Sequence, residues 1–580
     1  MKLSKRSSLL VATGVVGAMA LTACGGGSDS GGGDSSSSGG SGRVVYGEAT
    51  DWPENLMPLI SSGNALSVAN IEAQLLPQAY LIQPDLSIKY DDTLLTDEPT
   101  SQVNGDSQTV TYHLSPDAVW SDGEPITADD FNFSWQLQRS SDPADGGCAT
   151  LLSTTGYSQI TAVDGADDGK TVNVTLSPPF ADWKALFSGS NNPVFPKHVM
   201  DQGSPTANCD YISTGWPLAE GLPSDISGGP WQLKKSNIDV GGQIAVLTPN
   251  ENYWGDKPKL SQLVIQGIGN DPTTAVQGLQ SGELNVIYPQ PQLDLVGQVE
   301  DLKPNVDSKI SFGITYEHLD FNTTDPQLAD VKVRQAFGMA LDRQEIVDQT
   351  VGQFSSDAQV LDNHVWLNTQ PQYKDNAPAE YKQANTAKAK ALLESAGYAL
   401  GADGIYAKGG QRLSFRIDTT ANNPLRQTTI EVMIPQLKKA GIEATYNANP
   451  DIFAGPEKPT SLVAGGFQIA LFAWVGSPFI SNTPPIYESP AGAGGAVQQN
   501  YARTGTPQID ALLERWLTET DDTQIAETGN QIDALLWDQL ATIPLYQKPT
   551  FIAYTSTVGG VEDNPTQAGP LWNASTWTVQ

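Results

Sequence analysis

The chain has 580 residues, 65 acidic and 32 basic side chains, a net charge of −33, 3 Cys and 4 His. Its length corresponds to roughly two to four domains of about 150 residues, and its 39% hydrophobic content is that of a globular protein. The charge argues against nucleic-acid binding, which needs a local surplus of Lys and Arg, and the scarce Cys and His argue against a disulfide-stapled scaffold or a His-rich metal site.

The first 23 residues have the pattern of a secretory signal peptide. A head of three basic residues precedes an uncharged run of small and apolar residues from Ser7 to Ala23, slightly short for a membrane span. Small residues before Cys24 resemble the lipobox of bacterial lipoproteins, in which this Cys carries the lipid. We predict a signal peptide over residues 1–23 and a lipid anchor on Cys24. The alternative is an ordinary secreted chain with an incidental Cys.

The signal peptide is followed by a predicted flexible linker, and the mature chain contains one further pair of cysteines. Beyond Cys24, the predicted linker (residues 24–42) contains only Gly, Ser and Asp, a composition typical of flexible coil. The remaining cysteines, Cys148 and Cys209, form an even pair in the oxidising compartment that a signal peptide implies. We predict a disulfide between them; the alternative is two buried free thiols.

The first half of the mature chain is rich in predicted strands. Val44–Ala49 is the first strand, and alternation of apolar with polar residues predicts half-buried strands at Val110–Leu114 and Val172–Leu176. The acidic cluster within residues 164–168 lacks the spacing and the closing Glu of an EF-hand. It is therefore interpreted as a turn and not as a calcium site.

Helices and strands alternate in the second half. The helices are predicted at residues 330–349, 386–396, 427–440, 509–517 and 525–540. The strands are predicted at residues 413–418, 442–447 and 467–474, with a late strand starting at 543–546. The strand–helix–strand order over residues 413–447 predicts a right-handed parallel βαβ unit, and hence an α/β lobe.

Three loops are the predicted places for a pocket. In open parallel sheets, ligands bind outside the carboxyl ends of the strands. The loops at such ends are Thr50–Ala65, Tyr288–Pro289 and Trp474–Asn482.

Known catalytic motifs are absent from the sequence. There is no phosphate-binding loop, nucleophile elbow, zinc-protease helix motif, paired-Cys motif or dinucleotide-type Gly pattern. We predict a non-enzyme without metal or cofactor. The alternative is an enzyme with a carboxylate pair hidden among the 65 acidic residues.

Several segments, in order, resemble the ABC-importer solute-binding proteins of the dipeptide, oligopeptide and nickel-binding family, the extracellular family 5 type. The strongest runs from Trp120 to Trp135 and contains Trp-Ser-Asp-Gly and Thr-Ala-Asp-Asp, a turn followed by a capped helix. The other matching segments are residues 227–231, 252–258, 281–286, 321–343, 387–398 and 543–546. The resemblance covers nearly all of the mature chain.

The resemblance implies the fold and its division. The expected fold is α/β, two-lobed and hinged, a periplasmic-binding-protein-like fold of type II with an extra inserted domain and a ligand cleft between the lobes. The implied boundaries are residues 43–80, 204–318 and 546–580 for lobe I, 81–203 for the small inserted domain, and 319–545 for lobe II.

The resemblance also implies ligand contacts. They are Asn64, Ala65, Asn322, Trp474, Val475, Gly476 and Ser477. For Asn322 the alternative is a brace at the hinge, and for Trp474 it is a place in the core.

One position departs from the family pattern. In peptide binders of the family, the strand end usually continues into an Asp that pairs with the peptide's amino terminus; Ser477 stands near that position and carries no charge. A buried ammonium group requires an ionic partner. Either another acid such as Asp451 replaces it, or the ligand lacks a free amino terminus, or the ligand is not a peptide.

The resulting functional hypothesis is a lipid-anchored protein at the outer face of the cell membrane. It captures an oligopeptide-like solute, releases it unaltered to ABC permease subunits, and acts as a monomer without nucleic acid. The alternatives are a binder of a non-peptide solute and a non-transport envelope lipoprotein, a regulator or scaffold, with the same fold.

Overall fold

The structure, a computed structural model, describes residues 42–50, 52–189, 192–269, 271–490 and 497–580. The predicted signal peptide, Cys24 and the linker up to residue 41 lie outside the described residues. Within these ranges no helix combines the length and apolar character that crossing a membrane requires.

The strands and helices follow in chain order. The strands are β1 (Arg43–Glu48), β2 (Tyr80–Ile82), β3 (Ile88–Tyr90), β4 (Thr100–Asn104), β5 (Ser107–His113), β6 (Ile160–Ala166), β7 (Thr171–Leu176), β8 (Trp231–Asp239), β9 (Ile244–Pro249), β10 (Gln262–Gly267), β11 (Val286–Ile287), β12 (Val306–Phe321), β13 (Ala399–Leu400), β14 (Tyr406–Lys408), β15 (Gln411–Arg412), β16 (Ser414–Thr419), β17 (Glu443–Ala448), β18 (Ile469–Val475), β19 (Thr542–Thr555), β20 (Val558–Gly559) and β21 (Thr578–Val579). The helices are α1 (Leu66–Glu72), α2 (Ala128–Gln138), α3 (Lys197–Met200), α4 (Pro205–Thr214), α5 (Pro272–Ser281), α6 (Leu293–Glu300), α7 (Val331–Ala340), α8 (Arg343–Gln349), α9 (Thr386–Ser395), α10 (Pro424–Lys439), α11 (Pro484–Tyr487), α12 (Pro507–Trp516) and α13 (Asp522–Gln539).

A ten-stranded mixed sheet runs through the molecule in the order β17-β16-β18-β12-β19-β11-β1-β10-β9-β8. At one end β1 pairs in parallel with β10 and β11. At the other end β16 pairs in parallel with β17 and β18, which confirms the predicted βαβ unit with α10 as its crossover. The sheet therefore contains two parallel regions joined through antiparallel strands.

The two long strands β12 and β19 join these regions. They pair antiparallel, with a break in register between Phe312 and Tyr316. Gly313 lies in the break, where a Cβ atom would stand 1.7 Å from the carbonyl oxygen of Pro565. Any side chain at this position would collide with main chain, so the close crossing requires glycine.

Separate apolar cores flank the joining strands. The largest core contains Val44, Trp120, Trp231 and Trp577, so the predicted inserted domain shares it with lobe I. A second core is built on Leu319, Phe337 and other apolar residues of the second half of the chain. Two cores on one sheet form two lobes; the predicted domain boundaries stay a prediction.

The segment from Trp120 to Trp135, which carries the strongest resemblance, forms the predicted turn and capped helix. Thr127 caps α2 in a capping box, with Asp130 returning a hydrogen bond to the Thr127 backbone N–H. The helix packs on a four-stranded antiparallel sheet, β4-β5-β7-β6. The alternation predicted for Val110–Leu114 and Val172–Leu176 is confirmed, since apolar residues are buried at every second position.

Other elements were predicted with small errors. The predicted single helix at 330–349 is two helices, because Leu341 is extended and the Asp342 side chain caps α8. The strand that precedes the predicted pocket loop Tyr288–Pro289 is the short β11, only two residues long. The disulfide between Cys148 and Cys209 is present, with Cα atoms 5.2 Å apart.

Candidate ligand-binding site

An aromatic stack lies at the carboxyl end of β18. The Trp474 ring lies parallel to the ring of His318, at 5.8 Å between centroids, and to the ring of Tyr501, at 5.7 Å. The indole Nε1 of Trp474 and both ring nitrogens of His318 are buried without a hydrogen-bond partner among the described residues. Trp474 thus belongs to a packed aromatic stack at the end of β18. The buried ring nitrogens in this stack have no hydrogen-bond partner among the described residues.

The residues after Trp474 continue this strand end. Val475 is 59% exposed, which is unusual for a valine at the end of a central strand. Gly476 donates its N–H to the carbonyl of Ile314 at 2.6 Å, and a Cβ there would lie 2.7 Å from that oxygen. The Ser477 hydroxyl accepts a hydrogen bond from the Phe479 N–H at 3.0 Å. The Gly476 hydrogen bond therefore holds the loop against β12, and the Val475 side chain remains exposed.

The predicted substitute acid is already paired. Asp451 lies 3.5 Å from the ammonium group of Lys458, and both side chains are largely exposed. It thus already has a cationic partner at the surface.

Asn322 is a brace. Its amide donates to the carbonyls of Gly465, at 3.0 Å, and Phe467, at 2.9 Å. Its oxygen accepts from the N–H and hydroxyl of Thr324. These four hydrogen bonds occupy both the amide donor and the amide oxygen of Asn322. The geometry therefore favours the bracing alternative over ligand contact.

Asn64 and Ala65 lie directly before α1, in the predicted first lobe. Both are exposed, and Ala65 is the residue that precedes α1. Among the described residues, no hydrogen bond or ring contact joins them to the Trp474 loop. The structure thus brings together Trp474, Val475, Gly476 and Ser477, and shows no hydrogen bond from Asn64 or Ala65 to them within the described ranges.

Direct contacts join the predicted inserted domain to the predicted second lobe. The Asp182 carboxylate accepts a hydrogen bond from the Ser481 N–H at 2.6 Å, and the Ala181 N–H donates to the carbonyl of Leu517 at 2.9 Å. Burial raises the pKa of the Asp182 carboxyl to about 6. These contacts hold the two parts of the chain against each other.

A second contact lies beside Trp474. Leu86, at the tip of the β2–β3 hairpin, has φ +66° and is buried in an apolar cluster with Ile314, Tyr316 and Leu367. Trp474 packs on the same cluster. A leucine adopts this left-handed backbone only where its surroundings fix it, so packing against β12 holds the strained turn.

Three charged side chains meet on the other face of β12. Arg426 holds Glu317 with Nε at 3.0 and 3.1 Å from the two carboxylate oxygens, and Lys548 Nζ lies 3.7 Å from the same carboxylate. Burial acts to raise the pKa of Glu317, but the two cations lower it below its ordinary value. Burial lowers the pKa of Lys548.

The sequence reasoning missed His318, Tyr501, Asp182 and Lys548. Alternation along β12 could have placed Tyr316 and His318 on one face. It could not have shown that this face meets Trp474, because the neighbouring strand is far away in the chain.

Two surface cavities lie away from the Trp474 loop. One of about 480 Å³ is lined by residues around Arg343, and one of about 250 Å³ lies beside the disulfide. The Arg343 guanidinium already binds the carbonyls of Tyr381 and Leu361 and the Asp362 carboxylate, which marks it as structural. No group of three or more His, Cys, Asp or Glu in the described ranges could hold a metal ion.

Comparison with known proteins places this geometry in a family. Residues 89–494 match the model of the bacterial extracellular solute-binding proteins, family 5, middle region. The oligopeptide-binding protein OppA of Mycobacterium tuberculosis H37Rv is 28% identical over 514 residues, 88% of this chain and 80% of that protein.

Solved structures agree. The periplasmic EDTA-binding protein EppA superposes with a TM-score of 0.83 and 25% identity, over 93% of this chain and 97% of that one. Bacillus subtilis AppA, solved with a nonapeptide, superposes with a TM-score of 0.71 and 22% identity, over 93% of this chain and 99% of that one. These matches confirm the predicted two-lobed, periplasmic-binding-protein-like α/β fold.

Proposed function

The chain belongs to the bacterial extracellular solute-binding proteins of family 5, and from this premise we propose that it captures an oligopeptide or related solute between its lobes and delivers it to an ABC importer. The proposal includes a lipid anchor on Cys24, a position at the outer face of the cell membrane, and action as a monomer with permease subunits as partners. The relatives are binding proteins, which supports capture and release without a chemical step.

The observation that carries the proposal is the open edge of β18. On the side away from β12, this strand has a strand partner only over Ile469 and Ala470. At Leu471 the edge is still covered, because the Thr419 hydroxyl at the end of β16 donates to its carbonyl at 2.8 Å. From Phe472 to the exposed Val475 no strand pairs with that edge among the described residues. An extended peptide can add to such an edge through main-chain hydrogen bonds, with side-chain specificity supplied by neighbouring pockets.

The proposed site follows from this edge. Trp474, Val475, Gly476 and Ser477 contact the ligand from the second lobe, and Asn64 and Ala65 approach it from the first. In the proposed division, lobe I comprises residues 43–80, 204–318 and 546–580, the inserted domain 81–203, and lobe II 319–545. Closure of the lobes requires contacts that are better made in the closed state, and those of Asp182 and Leu86 are suited to this role.

A non-peptide solute is the second candidate. Ser477 supplies no charge for a peptide amino terminus, and the solved EDTA-binding protein has a multiply charged organic anion in its name. A small anionic solute would not need an acid at this position.

Native mass spectrometry of the mature chain, purified without denaturation, tests the proposal. We expect a co-purified ladder of peptide masses, or a thermal shift with a mixed peptide library. Trp474→Leu should weaken this binding, whereas Trp572→Leu, at the far end of the chain, should not. An empty protein that neither peptides nor organic polyanions stabilise would contradict the proposal and favour the envelope-scaffold alternative.

A further inference from the structure

Two parts of the predicted inserted domain contact the Trp474 loop (Trp474–Asn482), one at each end. At the start of the loop, Trp474 packs on the apolar cluster that contains Leu86, at the tip of the β2–β3 hairpin. At its end, the Ser481 N–H donates to the Asp182 carboxylate at 2.6 Å. Ser481 and Asp182 are 299 residues apart in the chain, so only the assembled fold brings them together.

The contact at the start of the loop is apolar. Leu86 is buried in one cluster with Ile314 of β12, and the Ile314 carbonyl accepts the Gly476 N–H at 2.6 Å. The Leu86 backbone is left-handed, with φ +66°, a conformation that a leucine keeps only where packing compensates for the strain. Ile314 therefore connects the hairpin tip, through the cluster, to the loop, through its main chain.

The contact at the end of the loop is polar. Ser481 lies in a single helical turn, Ile480–Asn482, and the residue before this turn provides no side-chain cap. Asp182 supplies that acceptor from a distant part of the chain. The preceding residue, Ala181, packs against the apolar core that contains Ile480. The end of the loop is therefore held by a hydrogen bond and by apolar packing together.

The Asp182 carboxyl has no cation beside it among the described residues. On its own segment, Lys184 pairs with Glu98. On α12, which ends beside this contact, Arg515 pairs with Glu519. The Trp474 loop itself contains no ionisable side chain. Burial therefore raises the pKa of Asp182 to about 6, and hydrogen bonds from the loop offset only part of this effect.

The contact at Asp182 depends on pH for this reason. If the loop moves away, the carboxyl returns to water, where its pKa is about 3.9. A pKa that is raised in the contact makes the contact strongest below pH 3.9, and the contact weakens as the pH rises toward 6. Between pH 5 and pH 7 these two pKa values weaken it about tenfold. The apolar contact of Leu86 contains no ionisable group and does not change over this range.

We propose that Leu86 and Asp182 are positioning residues for the bound solute: the predicted inserted domain holds both ends of the Trp474 loop in the binding geometry, and holds it more firmly at acidic than at neutral pH. This inference rests on the proposed function, in which the loop contacts the solute, and adds its regulation. Because apparent affinity scales with the fraction of molecules that are competent to bind, the solute should bind more tightly near pH 5 than near pH 7.

Hydrogen exchange of the mature chain without solute measures the Asp182 contact directly. Protection of the Ser481 amide, corrected for the intrinsic exchange rate, should fall about three- to tenfold from pH 5 to pH 7. Asp182→Asn still accepts the hydrogen bond but does not ionise, so its protection should not change with pH. Asp182→Ala lacks the acceptor, so its protection should be low at both pH values.

Two further variants test the other end of the loop and the specificity of the effect. Leu86→Gly removes the apolar contact but suits the left-handed backbone. It should lower the protection of the Gly476 amide about threefold or more, equally at both pH values. Glu98→Gln removes the exposed partner of Lys184, which lies two residues from Asp182. It is the matched control and should behave as the unsubstituted chain.

A mixed-sequence pentapeptide library without Asp, Glu, His and Cys tests the effect on binding. Such peptides keep nearly the same charge at pH 5 and pH 7, so a pH dependence of binding comes from the protein. By tryptophan fluorescence, the unsubstituted chain and Glu98→Gln should bind the library about three- to tenfold more tightly at pH 5. Asp182→Asn should bind it within about twofold at the two pH values.

The outcomes separate this inference from the proposed function. Exchange that does not change with pH in the unsubstituted chain, or changes equally in Asp182→Asn, would overturn the inference and leave the proposed function standing. Peptide binding without pH dependence would also overturn it. If neither the peptides nor organic polyanions bind, the proposed function is wrong, and any pH-dependent exchange then reports a structural contact only. If Asp182→Ala fails to fold, the comparison of Asp182→Asn with the unsubstituted chain decides.

Discussion

Two buried glutamates in different parts of the fold have opposite surroundings. Glu72 at the end of α1 and Glu317 on β12 are both only 1% exposed. Neither carboxylate oxygen of Glu72 has a hydrogen-bond partner among the described residues, and burial raises its pKa well above the ordinary value. Glu317 lies against Arg426 and Lys548, which hold its pKa below the ordinary value.

The difference shows that burial alone does not set a charge state. Without a counter-charge, burial favours the neutral acid, so Glu72 behaves as a polar core residue. With two cations nearby, burial strengthens the interaction and keeps Glu317 ionised. A buried acid therefore indicates a charged site only where cations accompany it, and here that is the Glu317 cluster on β12.

Of the substitutions at these acids, Glu317→Gln should lower the stability of the fold the most. It leaves two cations buried without an anion, so we expect the free energy of unfolding to fall by about 3–5 kcal/mol. Urea denaturation of the mature chain followed by tryptophan fluorescence measures this.

Glu443→Gln is the control for that experiment. Glu443 is an exposed partner of Arg412, which lowers its pKa to about 2. Surface pairs contribute about 0–1 kcal/mol, so this variant should lose no more than that. Equal losses in the two variants would show that burial is irrelevant to the Glu317 cluster.

Asp182→Asn tests a third acid, which is half-buried and whose carboxyl has a hydrogen-bond partner but no cation beside it. A carboxyl whose pKa is raised to about 6 gives stability that is complete below its unfolded pKa, about 3.9, and is lost as the pH rises toward 6. The loss amounts to at most about 3 kcal/mol. Asn still accepts the Ser481 hydrogen bond but does not ionise.

The stability of Asp182→Asn relative to the unsubstituted chain should therefore increase between pH 4 and pH 7. Urea denaturation across this range provides the measurement. A difference that does not change with pH would show that Asp182 does not titrate in the contact.

At pH 4, Glu72→Gln should have the smallest effect of these substitutions. A neutral acid is replaced by a neutral amide of similar shape, so stability near pH 4 should change little. The folded-state pKa of Glu72 is raised, so its contribution falls as pH rises above about 4.3. The variant should gain stability relative to the unsubstituted chain above that pH, as measured by thermal unfolding at pH 4.5 and 7.5. A variant less stable at the higher pH would mean that Glu72 is ionised by a partner.

Local patterns predicted much of the fold. The capping box at Thr127, the alternation in β5 and β7 and the βαβ unit around α10 all depend on neighbours in sequence. The boundary that was missed, between α7 and α8, depends on Asp342 acting as a cap inside an apolar pattern that continues through it. Periodicity alone does not show such a break.

The candidate site was predicted only in part. The loop after Trp474 was predicted because parallel strands present ligands at their carboxyl ends, and its role in ligand binding stays a prediction. The ring partners of Trp474 were not found, since His318 and Tyr501 come from other segments of the chain. For Asn322, position along the strand left two roles open, and its four hydrogen bonds favour one of them.

The amino-acid sequence alone was enough to identify the family, the α/β architecture and the cysteine pair. Turns, caps, periodicity and short motifs each depend on residues that are close together in the sequence. The pairing of β12 with β18 and β19 is different: it brings Glu317 next to Lys548 and next to Arg426, which is 109 residues away along the chain. Alternation shows which side chains share a face of a strand, but which strand lies beside it is fixed by packing of the whole sheet. That packing placed two cations on one buried carboxylate.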